Sequence, residues 1–468
     1  MNPKDRDVLI NEVVEVAKTF LTIAPNNESL QELALKIAAE RFRLSGWWRF
    51  SDTSSYLKST DSKLFGRLLA AQVETDQGNR EAALEHAQAV LSALPRDLYT
   101  QRLIEELKVA LGQPGWTKAD EEDLSQRFCS APFERMETRP DGSVAFCCDS
   151  WMNVAIGNIN KDKPEAIWNS SNAQEVRASI LEGRYTHCSR TRCPKILNKM
   201  LPLRSEVQSN FSKNILVKKE KVLSSKPRDI KLNHDRSCNL SCPSCRQTVY
   251  AADEAESARL KTIADGVILP LLNEAEVVEI TGSGDAFASK HFRYIMQHIN
   301  HRKFPSLKID LFTNGIMFTE FMWEKLNLWG LCRRAVISVD STREETYQIL
   351  RRGGTLERLL ENFPFISKLR QSGELERVVL VFVIQRENYM EIPDMIRLTK
   401  QFNFDETFLK VIDPWGQSTA VYEDKNVALT KNSLHQDFLR ILQNPLLNDP
   451  VVNLGTLKQA HNRALAAL

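Results

Sequence analysis

Three cysteines stand close together in the stretch SCNLSCPSCRQ, at Cys238, Cys242 and Cys245. Thiolates are common protein ligands of Zn²⁺ and of iron–sulfur clusters. A structural zinc site is closed by four protein ligands, whereas a [4Fe–4S] cluster held by three thiolates keeps one iron open to bind and activate another molecule. Because no fourth cysteine lies beside the three, the spacing favours the open cluster, and a zinc knuckle is the alternative.

A second group of five cysteines lies between residues 129 and 193. Four of them are placed so that their thiolates could converge on one metal centre: Cys129, Cys147, Cys188 and Cys193. Such a set can hold either a tetrahedral Zn²⁺ or a [4Fe–4S] cluster, and the spacing alone does not choose between the two. The fifth, Cys148, is either an alternate ligand or a buried thiol.

Local signals predict how this second group is positioned. The sequence RPDGSVAF, between the first two of its cysteines, contains Asp141-Gly142, which predicts a turn between two short strands. A helix is predicted at 171–183, just before the last two cysteines. The thiols are therefore expected on two separate loops.

Composition limits the classes of function. The chain of 468 residues carries 62 basic and 60 acidic side chains, a formal charge of +2, which gives no indication of a nucleic-acid partner. No run reaches the roughly 18 apolar residues that a membrane span requires, so no membrane association is expected. Nine cysteines, bunched together in a chain without a secretory signal, favour reduced thiols used as ligands in a cytoplasmic protein.

Strand and helix patterns alternate regularly over residues 228–412. The six predicted strands lie at 229–235, 276–281, 307–313, 334–340, 377–385 and 406–412. The predicted helices between them lie near 253–272, 287–302, 319–328, 355–372 and 389–402. Six βα units joined by short connections predict an α/β fold with a parallel sheet, curved into a full or partial barrel.

Polar or glycine-rich sequences follow the first four of these strands. The cysteine triplet follows the first strand, GSGDAF (282–287) the second, TNG (313–315) the third, and SVDS (338–341) ends the fourth. In a βα barrel the residues at the carboxyl ends of the strands form the active site. All four sequences are therefore expected at one edge of the sheet.

The N-terminal residues 1–115 are predicted to be helical. The segment 78–97, GNREAALEHAQAVLSALPRD, resembles the second half of a tetratricopeptide repeat, with Gly78 at the turn between helices and Pro95 as the stop. An ordinary helical hairpin fits it equally well, since such repeats normally occur three or more together.

The pattern C-x3-C-x2-C after the first strand of a βα barrel resembles the radical S-adenosylmethionine (SAM) superfamily. The resemblance implies that Cys238, Cys242 and Cys245 hold a [4Fe–4S] cluster whose open iron is chelated by the amino and carboxylate groups of SAM. An electron from the reduced cluster then breaks the S–C5′ bond, and the 5′-deoxyadenosyl radical abstracts hydrogen from a substrate. The three cysteines are thus both the metal ligands and the catalytic residues.

The same resemblance assigns SAM contacts. GSGDA stands where the family has a glycine-glycine-glutamate-proline turn that holds the SAM amino group, with Asp285 in place of glutamate. Ser338 and Asp340 match positions that reach the SAM ribose or carboxylate, and Arg351 matches an arginine that pairs with the carboxylate. The full predicted set is Gly282, Ser283, Gly284, Asp285, Asn314, Ser338, Asp340 and Arg351. Ser244 departs from the family, which usually places an aromatic residue there against the adenine.

The spacing Cys129-x12-Gly142-x4-Cys147 resembles the opening of a SPASM domain, which binds auxiliary iron–sulfur clusters in peptide-modifying radical SAM enzymes. That domain follows the barrel in the best-known enzymes and precedes it here. The resemblance implies one auxiliary [4Fe–4S] cluster held by the four cysteines named above, besides the cluster that binds SAM. Four regions are predicted: helical 1–115, SPASM-like 116–227, barrel 228–412 and extension 413–468.

These resemblances favour an oxidoreductase-type radical SAM enzyme that modifies a peptide or protein with help from the auxiliary cluster. The expected partners are a reductant such as flavodoxin or ferredoxin, and a protein recruited by the helical N-terminal region. Modification of a carbohydrate or nucleotide-sugar is the alternative substrate class. A metal-stabilised helical-repeat scaffold without activity is the alternative outside enzymes.

Overall fold

The computed structural model describes residues 79–93, 123–148, 151–152, 154–190, 193–197, 199–413 and 419–466, and single residues at 71, 104 and 107. The chain forms two compact units. The first contains Met1–Phe133, Ser143–Asn158 and Glu165–Ser224, and the second contains Glu134–Gly142, Ile159–Pro164 and Ser225–Leu468. The second unit therefore contains residues that precede residue 228, where the sequence predicts the barrel to begin. The predicted region boundaries remain predictions.

The strands are numbered here in chain order. In the described part of the chain they are β1 (Arg135–Thr138), β2 (Ser143–Ala145), β3 (Gly157–Asn158), β4 (Asp229–Leu232), β5 (Val277–Ile280), β6 (Lys308–Thr313), β7 (Cys332–Ser338), β8 (Arg377–Ile384), β9 (Glu406–Val411) and β10 (Val452–Asn453). The α-helices are Arg80–Ala93, Ala131–Glu134, Pro164–Trp168, Ser171–Leu181, Pro194–Leu197, Asn210–Lys218, Glu254–Ile263, Leu269–Leu271, Lys290–His298, Glu320–Lys325, Glu344–Leu350, Leu356–Gln371, Ile392–Gln401, Thr419–Lys425, His435–Leu442 and Lys458–Ala466.

In the first unit, the helix Arg80–Ala93 lies inside the predicted repeat-like segment. Its Ala83 and Ala87 are fully buried in an apolar cluster, because small side chains let neighbouring segments approach closely. Most of the predicted helical region 1–115, including the rest of any repeat, lies outside the described residues. The tetratricopeptide resemblance therefore stays a prediction.

The cysteine-rich part of the first unit is organised by a buried arginine, Arg177, on the helix Ser171–Leu181. Its guanidinium donates to the carbonyl of Pro132 (2.9 Å), to the carbonyl of Lys221 (2.9 Å) and to Asn169 (3.0 Å). The same group lies 4.4 Å from the centroid of the Trp168 ring. Burial lowers the pKa of Arg177 to about 9, which leaves the guanidinium protonated at neutral pH. Its hydrogen bonds and ring contact join separate segments of the chain.

Eight strands of the second unit form one parallel sheet, in the order β10-β9-β8-β7-β6-β5-β4-β1. The six predicted strands correspond to β4 through β9, and the helices predicted between them are present, so the α/β partial-barrel prediction is confirmed. Sequence did not predict that β1, from the cysteine-rich region, pairs with β4. It also did not predict β10, which pairs with β9.

The two faces of this sheet differ in chemistry. One face carries fully buried apolar rows, such as Ile230, Val278 and Ile309. Because successive right-handed crossovers between neighbouring strands leave their helices on one side, this apolar face is the one that packs on the helices. The opposite face, which lines the barrel interior, carries a row of charged residues in register: Glu137, Lys231, Glu279, Asp310 and Arg334.

The predicted extension 413–468 belongs to the second unit, through β10 and the helices that flank it. Residues 414–418 of this extension lie outside the described residues. Among the helices of the described residues, none combines the length and hydropathy needed to cross a bilayer.

Candidate active site

The cysteine triplet lies on the loop after β4, and buried polar groups hold the start of that loop. The Asp235 carboxylate accepts from the backbone N–H of Ser237 (2.9 Å) and from the hydroxyls of Ser237 (2.8 Å) and Ser289 (2.5 Å). The backbone N–H of Cys238 donates to the carbonyl of Tyr250 (2.9 Å). Hydrogen bonds therefore hold the loop both just before Cys238 and at Cys238 itself.

The three thiols differ in exposure: Cys242 is buried, Cys238 is half-buried and Cys245 is exposed. Burial raises the pKa of Cys238 to about 11, and the nearby carboxylate of Asp285 adds to this rise, against the backbone N–H of Leu240 and the cation of Arg246. Arg246 lies within electrostatic reach of all three thiols, which together raise its pKa although burial opposes the rise.

The GSGDA loop after β5 packs directly against the cysteine loop. A Cβ placed on Gly284 would lie 2.7 Å from the carbonyl oxygens of both Asp235 and Ser237. A Cβ on Gly282 would lie 2.6 Å from Oδ1 of Asn233. The hydroxyl of Ser283 donates to the carbonyl of Asn233. Glycine is therefore required at two positions because backbone meets backbone or a buried side chain.

Asp285 is buried and its carboxylate is completely occupied by the protein. One oxygen accepts from the backbone N–H groups of Phe287 and Ala288, both at 3.0 Å. The other accepts from the hydroxyl of Thr313 (2.8 Å) and the backbone N–H of Asn314 (2.7 Å). A carboxylate offers about four acceptor positions. The geometry therefore makes Asp285 a brace between the loops after β5 and β6, whereas the sequence resemblance predicts a contact to the SAM amino group.

Asn314, after β6, reaches back to the cysteine loop. Its Nδ2 donates to Oδ1 of Asn239 (2.9 Å) and lies 3.8 Å from Sγ of Cys238. Its Oδ1 accepts from the backbone N–H of Ile316 (3.1 Å). The amide orientation is thus fixed by one donor contact and one acceptor contact.

Asp340 and Arg351 form an ion pair of 2.6 Å, with only 6% and 12% of their side chains exposed. Asp340 has φ of +61°, a left-handed conformation that costs a non-glycine residue about 1–3 kcal/mol. Its Oδ1 accepts from the backbone N–H of Val383 (2.8 Å). Burial raises the pKa of Asp340, and Arg351 opposes that rise. Ser338, at the end of β7, is half-buried on the same edge of the sheet.

In the first unit, the thiols of Cys129 and Cys193 both lie within electrostatic reach of the thiol of Cys188, and Cys129 and Cys188 lie within reach of Tyr185. Burial raises the pKa of Cys188, and the other two thiols add to the rise. Cys147 follows the strand β2 and is half-buried. Within the described part of the chain, no three His, Cys, Asp or Glu side chains already stand in coordination geometry. The donors of both cysteine sets are soft thiolates, which are the ligands that iron–sulfur clusters take.

Residues 232–399 match the family model of the radical SAM superfamily, and residues 129–194 match that of SPASM, an iron–sulfur cluster-binding domain. The chain contains a radical SAM domain and a SPASM domain. The radical SAM domain spans the triplet and every predicted SAM contact, and the SPASM domain spans all five upstream cysteines. The two domains imply SAM and two [4Fe–4S] clusters, one that binds SAM and one auxiliary.

The curated relatives of the radical SAM domain include GTP 3′,8-cyclases. One from Alkaliphilus metalliredigens is 29% identical over 191 residues, which is 40% of this chain and 57% of the relative. One from Clostridium botulinum strain Okra is 26% identical over 207 residues, 44% of this chain and 62% of the relative. The chain therefore spans less than two thirds of the length of either enzyme.

Solved structures similar to the chain include two enzymes crystallised with SAM. Streptococcus suis SuiB bound to S-adenosylmethionine is 14% identical, with coverage of 60% of this chain and 64% of that one and a TM-score of 0.34. The protein anSMEcpe with bound AdoMet and a Kp18Cys peptide is 15% identical, with coverage of 47% and 59% and a TM-score of 0.32.

Sequence reasoning did not single out Arg246 or Thr313, although both contact the site. The signal for Arg246 was its position directly after Cys245, which keeps its guanidinium near the loop. Thr313 lies beside Asn314 in the TNG sequence after β6. The neighbours Cys245 and Asn314 were predicted as site residues. Arg246 and Thr313 were not, because a charged or hydroxyl side chain in a loop is too common to indicate a site.

Proposed function

We propose that this radical SAM enzyme oxidatively modifies a side chain of a peptide or protein, with the SPASM cluster as the second redox centre. The presence of two separate thiolate sets in one chain supports this most directly: a triplet after β4 and a four-cysteine set in the other unit. A single open cluster suffices to start radical chemistry. A second closed cluster is useful when an electron must also be removed from the substrate.

When bound, the SAM-binding cluster supplies reductive cleavage of SAM and, through it, abstraction of a hydrogen atom from a C–H bond. Oxidation by two electrons then requires one further electron and one proton to leave the substrate as the new bond forms. The auxiliary cluster, which Cys129, Cys147, Cys188 and Cys193 would hold, would supply the acceptor for that electron, and the proton would leave to solvent. A protein reductant of the flavodoxin or ferredoxin type supplies the electron that starts each cycle.

The roles of individual residues follow from their places at the edge of the sheet. We propose that the backbone of the GSGDA loop, with Ser338 and Asp340, contacts SAM, while Asp285 braces the loop from beneath. Four cysteines hold the auxiliary cluster: Cys129, Cys147, Cys188 and Cys193. The half-buried Cys148 is left as a neighbouring thiol.

A nucleotide or nucleotide-sugar is the second candidate substrate, and the barrel interior favours it. The ammonium of Lys231 and the guanidinium of Arg334 lie 5.5 and 5.6 Å from the centroid of the half-exposed Phe312 ring. Lys231 approaches its nearest acid, Glu279, only to 4.0 Å. An aromatic face beside two cations suits a base and a phosphate, although Arg334 is itself paired with Asp310 at 2.9 Å. The relatives named GTP 3′,8-cyclase point to the same class.

Substrate-stimulated formation of 5′-deoxyadenosine separates the two candidates. Anaerobic enzyme with SAM and dithionite would be mixed with GTP, with UDP-sugars, or with peptides encoded beside its gene. The proposal expects stimulation and a loss of two hydrogens only with a peptide. Stimulation by GTP or a UDP-sugar would contradict the peptide proposal. If that stimulation falls in Lys231→Met and persists in the surface control Lys261→Met, the substrate is a nucleotide or nucleotide-sugar.

A further inference from the structure

Each cysteine of the triplet faces the N–H group of one side chain. Nδ2 of Asn314 lies 3.8 Å from Sγ of Cys238, Nη1 of Arg351 lies 3.7 Å from Sγ of Cys242, and Nη2 of Arg246 lies 3.6 Å from Sγ of Cys245. These distances are within hydrogen-bond range for sulfur acceptors. The donors come from three places in the chain, namely the loop after β6, the end of the helix Glu344–Leu350, and the cysteine loop itself.

Other contacts hold each of the three donors in place. The backbone of Asn314 is bound by Asp285 and its side chain by Asn239. Arg351 is bound by Asp340 at 2.6 Å. Arg246 donates to the carbonyls of Arg236 and Ser283, so it joins the cysteine loop to the GSGDA loop. The direction of each N–H group toward its sulfur is therefore set by the fold.

We infer that Asn314, Arg351 and Arg246 form a shell that tunes the reduction potential of the cluster held by the triplet. Addition of one electron makes the cluster and its thiolates more negative. Hydrogen bonds to the sulfurs and nearby positive charge favour that reduced form and make the potential less negative. Two of the three donors are guanidinium groups, and that of Arg351 is nearly buried, where charge interactions are least screened.

Arg351 thereby acts on the cluster, whereas the resemblance to the family predicts that it pairs with the SAM carboxylate. An arginine that pairs with the SAM carboxylate would have to leave Asp340 or share it. In the structure Arg351 instead links that acid to Cys242. Arg351 is therefore a positioning residue that acts on the cluster through its thiolate. This rests on the proposed assignment of the triplet as the cluster ligands.

The test is a redox titration of the holoenzyme followed by electron paramagnetic resonance, for Arg246→Gln and Arg351→Gln. Arg352→Gln is the matched control, because Arg352 also braces the cysteine loop, through the hydroxyl of Ser241 (3.1 Å) and the carbonyl of Gln247 (2.5 Å), but contacts no thiol. Each of the two variants should lower the equilibrium constant for reduction about tenfold, which is about 59 mV for one electron. The control should keep the wild-type potential.

Two results would overturn the inference. An equal shift in Arg352→Gln would mean that loosening of the loop, and not the N–H groups, sets the potential. An unchanged potential in Arg351→Gln with weakened SAM binding would make Arg351 a SAM ligand. Should a glutamine variant lose its cluster, Arg246→Lys and Arg351→Lys retain the charge and must stay nearer to the wild-type potential. A SAM-responsive signal that survives replacement of all three cysteines by alanine would instead disprove the ligand assignment itself.

Discussion

Among single residues, Asp285 connects most of the site, since it binds backbone on its own loop and two groups after β6. Asp285→Asn should destabilise the protein by about 3 kcal/mol, because an amide NH₂ would face N–H donors that then lose their acceptor. The Kd for SAM should rise as well, since the braced loop is the proposed SAM contact. Denaturant unfolding and equilibrium dialysis would measure the two effects.

The control for that substitution is Asp265→Asn, which removes an exposed pair with Lys261 and keeps an amide oxygen that can accept from the hydroxyl of Tyr294. Exposed pairs contribute about 0–1 kcal/mol, so this variant should match the wild-type protein in both assays. Equal losses in the two variants would mean that Asp285 has no special bracing role.

The sequence predicted the types and spacing of the site residues better than their contacts. The cysteine triplet and the GSGDA loop could be located because each follows a recognisable strand. The partners of Asp285 could not be predicted, because they lie 28 and 29 positions further along the chain. Hydrogen-bond geometry at that separation depends on how two loops meet, which no local pattern encodes.

At the scale of elements, the close approach of the loops after β4 and β5 depends on Gly284. Gly284→Ala should cost about 1–3 kcal/mol and weaken SAM binding, because its Cβ would meet two carbonyl oxygens at 2.7 Å. Gly266→Ala is the matched control, since nothing lies within 4 Å of its added Cβ. Thermal unfolding of both variants tests the claim, and a Gly284→Ala protein as stable as the control would contradict it.

Two buried histidines join the helix Lys290–His298 to the loop after β4. Nε2 of His291, on the helix, lies 2.6 Å from Nε2 of His234, on the loop. Burial lowers the pKa of His291 to about 4, with Asp235 and Glu256 opposing this and Arg259 supporting it. Burial and His291 also lower the pKa of His234. Between about pH 6.5 and 4 the unfolded chain therefore binds protons that the folded chain does not, and stability is lost as the pH falls through that window.

Between pH 7.0 and 5.5 the free energy of unfolding should fall by about 1 kcal/mol less in His291→Gln than in the wild-type protein. Denaturant unfolding of the anaerobic holoenzyme at the two pH values would show it. The exposed His298, whose Nδ1 lies 2.8 Å from the carbonyl oxygen of Tyr294, provides the control His298→Gln, which is expected to keep the wild-type slope. An unchanged slope in His291→Gln would contradict the assignment.

The strand pairings that sequence missed involve short or distant strands. β10 has two residues, too few for an alternating pattern. β1 has four residues, two of them charged, and finds its partner far along the chain. The longer strands β4 through β9 carry enough apolar residues for their buried rows to be recognised from sequence alone.

For the molecule as a whole, the two clusters are expected to fail in different ways. Cys242→Ala should abolish 5′-deoxyadenosine formation with dithionite and SAM, because a ligand of the SAM-binding cluster is lost. Cys188→Ala should retain that uncoupled cleavage and lose turnover of the true substrate. Iron content should fall from about eight to about four per chain when either whole cysteine set is replaced.

Circular dichroism of each variant must come first, because cluster ligation stabilises the fold. A folded Cys242→Ala protein that lacks the triplet's cluster and still makes 5′-deoxyadenosine at the wild-type rate would disprove the assignment. Cys332→Ala, at the opposite end of the sheet in β7, is the control and should behave as wild type in both assays.

The pairing of β1 with β4 joins Arg135 to Asp229 across 94 positions of sequence. Two stretches of the first unit, Ser143–Asn158 and Glu165–Ser224, are encoded between these two strands, so in sequence terms they are an insertion within the barrel. During synthesis β1 emerges well before its partner, and closing so long a loop is slow and entropically costly. A truncated barrel that begins after residue 224 would lack β1 and leave the backbone of β4 open to pairing with other chains. The barrel is therefore not separable by a single cut.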